Sequence, residues 1–387
     1  MRISIMRERS PGEARVALTP ANVSTLAGLG CQVCVETGAG DAAGFSNAAY
    51  REAGAEILET RTQLLERGEI VLCVDASRED SLADLQDGQV GIGLMDPLGH
   101  CERFTALAER GITTLALELV PRISRAQSMD ALSSIATLAG YKAVLLAAAQ
   151  APRLFPMMMT AAGTLNPSRV FIMGAGVAGL QAAATAKRLG AVVEAYDVRP
   201  AAREQILSVG AKPVELDLDT SAAEGKGGYA SEQDDAFLAR QREQMGAVLA
   251  QQDVVITTAA IPGATAPVLI TEDMVKGMKP GAVIVDLAAE RGGNCALTRA
   301  GETLQAYGVT ILGPANIAAT LPHHASQMYG RNLENLLRLL LDDDGRLQLD
   351  FEDEIVAETV VTHAGEVRAA RIRERLAPAP AAREEIA

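Results

Sequence analysis

The chain has 387 residues, of which 48% are hydrophobic and only 3% aromatic, contains no Trp, and carries a formal net charge of −14. That length exceeds one ordinary domain and predicts two, with cores filled by Ala, Val, Leu and Ile. The acidic balance argues against nucleic-acid phosphate and anionic lipid as partners, because both would repel it.

The N-terminus, MRISIMRERSPGEAR, is charged at positions 2, 7, 8 and 9 and has no apolar signal core. Ile3 and Ile5 begin a short strand, and Pro20 opens a helix that Gly28 and Gly30 close. Apolar runs bounded by turn residues follow at QVCVE (32–36), IVLCVD (70–75), VGIGLMD (90–96) and TTLALEL (113–119), at the spacing of βαβ units. Cys31 and Cys34 form a CxxC, but no second pair completes a zinc site. With Cys73, Cys101 and Cys295 they read as small buried thiols. Segment 133–150 reads as one Ala-rich helix bridging two domains. Its most apolar stretch, 143–151, is too short to span a membrane and is flanked by Lys142 and Arg153. The chain is expected to be soluble and cytoplasmic.

A second alternating series begins at Arg169, with strands VFIM (170–173), VVEAYD (192–197), KPVEL (212–216), DVVITTA (253–259), AVIVDLA (282–288) and VTILG (309–313). Helices are expected at 177–189 and 270–278 between them. A Leu-rich helix at 332–341 returns to the first domain, a hairpin-like piece falls at 362–365, and the Ala/Pro-rich end after Leu376 is expected to be disordered. The expected organisation is α/β throughout, with two doubly wound parallel-sheet domains. The first is discontinuous, 1–135 plus 321–376; a Rossmann domain, 136–320, is inserted in it; 377–387 form a tail.

The strongest chemical signal is VFIMGAGVAGLQAAATAKRLG, where Gly174, Gly176 and Gly179 satisfy GxGxxG after a strand and at the opening of a helix. The first glycine permits a tight turn, the second lets the backbone approach a pyrophosphate, and the third lets helix and strand pack closely. Amides of Ala175 and Val177, at a positive helix end, then suit a diphosphate. A lone GxGxxG is weak, but the next strand ends in Asp197, 18 residues after Gly179. An acid there meets the adenosine ribose hydroxyls and favours NAD over NADP, with Val198 beside it and Arg199 a counter-signal. NAD(H) is therefore the expected cofactor.

Acid–base chemistry is poorly supplied. Of the four His, His100 sits in a loop after a strand, His323 and His324 sit at a helix start, and His363 lies in the hairpin-like piece. No metal spacing is present, and no metal is expected. The loop VPRISRAQSMDALSS (120–134) gathers Arg122, Arg125, Gln127, Asp130 and Ser133 after a strand. From the residues alone, Ser128 or Asp130 can simply cap the following helix and Arg122 can be a solvated charge. Loops after strand C-termini are also where open α/β sheets place ligands.

Taken together, these residues resemble the NAD(H)-binding components of proton-translocating NAD(P) transhydrogenases, a family related to alanine dehydrogenase. RVALTP (15–20) is common to both; PRISRAQSMDALSS (121–134), GGYA (227–230), TTAAIPGATAPVLIT (257–271) and VDLAAERGGNC (285–295) carry the transhydrogenase likeness. The resemblance implies a homodimer of two-domain subunits that docks on an NADP(H)-binding component and on membrane-embedded proton-channel subunits. It implies that Arg122, Gln127, Asp130 and Ser133 surround the nicotinamide end and that Tyr229 lies on a loop closing over nucleotide. It also implies that Thr258, Ala259, Pro262 and Gly263 line the NAD(H) site. Hydride would pass directly between two nicotinamides, needing no acid or base but only carbons held roughly 3–3.5 Å apart and shielded from water. The chain would sit on the inner face of the membrane through its partners.

In alanine dehydrogenase a substrate-binding Lys and a catalytic His are expected near 73–75 and 95–97; here the residues are Cys73, Val74, Asp75 and Met95, Asp96, Pro97. Lys is expected at position 73 in the transhydrogenase too, and Arg15 is kept as a cleft residue. The alternatives are a stand-alone amino-acid dehydrogenase, against which Asp75 argues, and a non-catalytic NAD(H)-sensing module, against which the polar loop argues.

Overall fold

The computed structural model describes residues 1–77, 81–218, 235–260, 263–342 and 344–377. Tyr229, Pro262, the GGYA segment and the tail from 378 lie outside the described residues. The chain divides into two compact units, Met1–Ser134 with Leu321–Ala387, and Ile135–Thr320.

The first unit opens with strands β1 (Arg2–Ile5), β2 (Gln32–Glu36), β3 (Glu56–Leu58), β4 (Ile70–Asp75), β5 (Val90–Leu94) and β6 (Thr113–Ala116). The second unit carries a hairpin, β7 (Met158–Thr160) and β8 (Gly163–Leu165), then β9 (Arg169–Met173), β10 (Val192–Tyr196), β11 (Lys212–Pro213), β12 (Val254–Thr257), β13 (Val283–Asp286), β14 (Thr303–Ala306) and β15 (Val309–Leu312). The chain then returns to the first unit for β16 (Val360–His363) and β17 (Glu366–Val367).

Among the described residues, the first unit holds an eight-stranded sheet in the order β17-β16-β6-β5-β4-β1-β2-β3, and the second a seven-stranded sheet in the order β11-β10-β9-β12-β13-β15-β14. In each, the chain builds outward one way from its first strand and then crosses to build the other way. The reversal falls between β1 and β4 in the first unit and between β9 and β12 in the second. Such a switch point leaves a crevice outside the strand C-termini, where ligands bind. The central strands read clearly in sequence because they are apolar on both faces; every residue of β4 and β12 is buried.

The sheets are parallel through their centres, as expected, and each ends in antiparallel strands, one pair of them at the hairpin expected near 362–365. β14 pairs antiparallel with β15, and β16 antiparallel with both β6 and β17. Two-residue turns with positive φ impose the hairpins: Tyr307 (53°) with Gly308 (79°), and Ala364 (51°) with Gly365 (85°).

Other expected elements change length for local reasons. The strand expected at 212–216 shrinks to Lys212–Pro213, where Pro213 cannot donate to a ladder. The one expected at 113–119 stops at Ala116 and becomes a 3-10 turn. The helix expected at 270–278 narrows to Glu272–Lys276, because Thr271 caps it by accepting from Met274 N. The helix expected at 332–341 begins a decade earlier and runs Pro322–Leu340.

The bridging helix is longer than expected, Ala131–Gln150. Among the described residues it is the one helix long and apolar enough by composition to cross a membrane, with mean hydropathy 1.5, and Lys142 interrupts its apolar run. Ala139, Ala143, Val144 and Ala147 of this helix pack into the core of the second unit.

Candidate functional site

In the second unit the glycine turn lies at the switch point. Gly174 follows β9 with φ of +96°, a conformation that L side chains rarely adopt. Its carbonyl accepts from Thr258 Oγ1 at 3.0 Å, which ties the turn to the end of β12. Gly179 is required for a different reason: a Cβ there would lie 1.8 Å from Gly174 O, so only hydrogen lets the helix approach the strand. Gly176 caps the helix Val177–Arg188 with φ −73° and ψ −169° and offers no side-chain cap. A Cβ at Gly176 would meet nothing within 4 Å. The space over this helix end is therefore open, its first-turn amides lack intrahelical acceptors, and the helix dipole makes the end positive. An open, amide-lined, positive cradle fits a dinucleotide diphosphate. Ala175 is buried at the turn, and Val177 is 37% exposed at the helix start.

Asp197 follows β10 and reaches back to the same turn, where its Oδ2 accepts from Ala175 N at 2.7 Å. Arg199 also engages it, Nε donating to Oδ1 and Nη2 to Oδ2, both at 2.8 Å. Val198 packs against the core beside them.

The loop after β12 is held by a network that sequence reasoning missed. Asp286, fully buried at the end of β13, accepts from Thr257 Oγ1, Ala288 N, Asn294 N, Cys295 N and Thr298 Oγ1 at 2.7–3.0 Å. Asn294, also fully buried, accepts from Ala259 N and donates to the carbonyls of Ala259 and Pro267. One amide thus fixes both limbs of the loop bearing Thr258, Ala259 and Gly263; Gly263 has φ of +72°. In sequence, VDLA looks like any strand end, and nothing marks its Asp as the hub of five hydrogen bonds.

The polar loop belongs to the first unit. Residues Ser124–Met129 form a 3-10 segment whose Ser128 carbonyl accepts from Asn332 and Asn335. Arg125 pairs with both oxygens of Asp353 at 2.6 and 2.7 Å. Asp130 takes the capping role open to it, accepting from Ser133 N at 2.8 Å and Ser133 Oγ at 2.6 Å. Arg122 and Gln127 are exposed. The structure thus joins Asp130 to Ser133 directly and anchors the segment that carries Gln127.

At the ends of β4 and β5, Asp75 accepts from Ser77, and Asp96 has φ of +46° and accepts from Gly99 N and His100 N. His100 has a half-exposed side chain 3.9 Å from Asp96. Arg15 is 3% exposed, with its guanidinium bound in two places by Glu13, at 2.6 and 2.7 Å. Burial pushes the Glu8 carboxyl up to about 8, although it accepts from Val74 N; Glu13 and Asp75 push the same way. Burial likewise raises Glu118 to about 7, against the hydrogen bonds it accepts from Met95 N and Asp96 N. A cavity of about 970 Å³ opens beside Glu8, lined also by Arg7, Arg9, Ser10, Glu36 and Arg61. Glu36 there is already paired with Arg9 and Arg61, at 3.0 and 3.1 Å.

A doubly wound sheet with a glycine turn at its switch point and an acid after the second strand defines a Rossmann-type dinucleotide-binding protein. Residues 4–139 match the N-terminal domain, and residues 143–370 the C-terminal domain, described as Alanine dehydrogenase/PNT, and the chain belongs to this family. It is 47% identical over 374 residues to the first of the pieces that make up NAD(P) transhydrogenase subunit alpha in Rhodospirillum rubrum, covering 95% of this chain and 97% of that one. The alanine dehydrogenase of Bacillus subtilis is 31% identical over 330 residues, covering 83% and 81%. Among solved structures, the transhydrogenase from Sinorhizobium meliloti superposes with a TM-score of 0.85 at 44% identity, over 95% of this chain and all of that one.

Proposed function

We propose that this chain is the NAD(H)-binding component of a proton-translocating NAD(P) transhydrogenase, active only with partner components. The observation that carries the reading is its likeness, along nearly its whole length, to the Rhodospirillum rubrum subunit. The glycine turn supports the cofactor: Gly174 and Ala175 shape the turn, the amides of the helix start from Gly176 through Val177 to Gly179 hold the diphosphate, and Asp197, flanked by Val198 and Arg199, receives the adenosine ribose. Thr258, Ala259 and Gly263 line the site.

When bound, NAD(H) supplies the hydride chemistry itself, C4 to C4 with NADP(H) on the partner, without proton exchange. The chain's own task is to hold, orient and exclude water. Asp130, already oriented by Ser133, and the exposed Arg122 and Gln127 suit the grip on a carboxamide. Cys73 and Asp75 on β4, with Met95 and Asp96 after β5, leave no Lys or His there to anchor and protonate a keto acid. That speaks against the alanine dehydrogenase alternative, which the Bacillus subtilis likeness would otherwise favour. The chain works as a homodimer, held at the inner face of the membrane by proton-channel subunits.

Separate titrations test this. NADH should bind this chain in preference to NADPH, and alanine with NAD+ should yield no NADH. Alanine-dependent NADH formation at enzymatic rates would replace this reading with the dehydrogenase one.

A further inference from the structure

The acid that should accept the ribose hydroxyls is fully occupied by the chain itself. A carboxylate offers about four lone-pair positions. Asp197 Oδ1 accepts from Arg199 N at 2.9 Å and Arg199 Nε at 2.8 Å, and Oδ2 accepts from Ala175 N at 2.7 Å and Arg199 Nη2 at 2.8 Å. All four are used. The pair is also withdrawn from solvent, with side-chain exposures of 15% for Arg199 and 6% for Asp197, so water does little to weaken it. A sugar diol needs acceptor positions, and none is free while the guanidinium stays.

We propose that Arg199 is an internal competitor for the ribose acid and sets nucleotide choice, releasing Asp197 when NAD(H) enters. This rests on the NAD(H) reading of the site. Two backbone bonds, from Ala175 N and Arg199 N, keep the carboxylate in place when the guanidinium leaves, so release frees one acceptor position on each oxygen. The freed guanidinium remains within two residues of the ribose acid. There it offsets the repulsion that a bare carboxylate would exert on a 2′-phosphate. Arg199 therefore weakens NADH binding and softens the discrimination against NADPH, which is the physical content of the mixed Asp-x-Arg signal after β10.

The test is equilibrium binding of NADH and NADPH, read by cofactor fluorescence, to the full chain and to Arg199→Ala and Arg199→Lys. Circular dichroism and thermal unfolding establish that each variant is folded. Arg199→Ala should bind NADH about tenfold more tightly, the equivalent of about 1.4 kcal/mol, and NADPH more weakly, so that discrimination widens. Arg199→Lys, whose ammonium occupies one oxygen at a time, should fall between. Folded variants that bind NADH no better than the unsubstituted chain overturn the role of Arg199 alone. An unsubstituted chain that binds no NADH overturns the dinucleotide reading and this proposal with it.

Discussion

Gly176 and Gly179 lie three residues apart in one motif, yet they should respond to the same substitution in opposite ways. At Gly176 the backbone is in a conformation open to any residue, φ −73° and ψ −169°, and a Cβ would touch nothing within 4 Å. Gly176→Ala should leave stability within about 0.5 kcal/mol, since loss of backbone freedom in the unfolded chain offsets any small strain. Its methyl would stand where a phosphate must approach the helix amides. Each charge-assisted hydrogen bond lost there is worth about 1.5–3 kcal/mol, so NADH affinity should fall roughly ten- to a hundredfold. At Gly179 the Cβ would lie 1.8 Å from a backbone oxygen and 2.9 Å from the carbonyl carbon of Gly174. Backbone cannot turn aside as a flexible side chain can. The helix must lift off the strand, at a cost of about 3 kcal/mol. Urea unfolding and NADH fluorescence titration on both variants separate the two effects. A Gly176→Ala variant that binds NADH as tightly as the unsubstituted chain would refute the diphosphate cradle, whatever Gly179→Ala does.

Removing the hub of the second unit should act on fold and site together: Asp286→Ala orphans three buried backbone amides and two hydroxyls, for a loss of about 4 kcal/mol. Amide hydrogen exchange of β12 and β13 reports it, and unchanged protection there would contradict the network's role. Glu8 gives a pH signature. Its carboxyl is raised from 4.5 to about 8 in the folded chain, so its contribution to stability is fully present below pH 4.5 and is lost as pH rises through 8. Each pH unit of that window is worth about 1.4 kcal/mol, and because Glu8 is part exposed, screening holds the total to about 2–3 kcal/mol. Glu8→Gln should therefore gain stability over the unsubstituted chain progressively from pH 5 to 9; a difference that stays flat across that range would show Glu8 to be ionised throughout. Asp130→Asn keeps the cap partly intact but loses the charge, and should slow hydride transfer at least about tenfold more than it weakens NADH binding. Equal losses in both would remove its positioning role.

Much of this was legible in sequence, for identifiable reasons. Strands such as β4, β9 and β12 are buried on both faces, so each reads as an unbroken apolar run. The glycine turn was legible because steric demands at Gly174 and Gly179 and an open approach at Gly176 leave a fixed spacing. The hairpin β7–β8 was not, because its residues are exposed and Met158 and Met159 give no alternation of apolar with polar. Nor was β14, whose pairing depends on a turn at Tyr307, a residue not associated with positive φ. At the site, Asp197 was legible by its distance from the glycines, but its full occupation by Arg199 is a fact of side-chain geometry. Asp286 and Asn294 were invisible for the same reason: buried polar residues announce themselves only through partners distant in the chain. At Asp130 one geometry serves both readings made from the sequence: accepting from Ser133 N caps the helix, and accepting from Ser133 Oγ orients the carboxylate.

On the proposed function, this chain delivers or accepts hydride only across an interface with an NADP(H)-bearing partner. The most direct measurement is stopped-flow hydride transfer from NADPH to an NAD+ analogue, using this chain mixed with a purified transhydrogenase NADP(H)-binding component. Rapid transfer that requires both proteins is the expected result. No transfer, with NADH binding to this chain verified in the same sample, would contradict it.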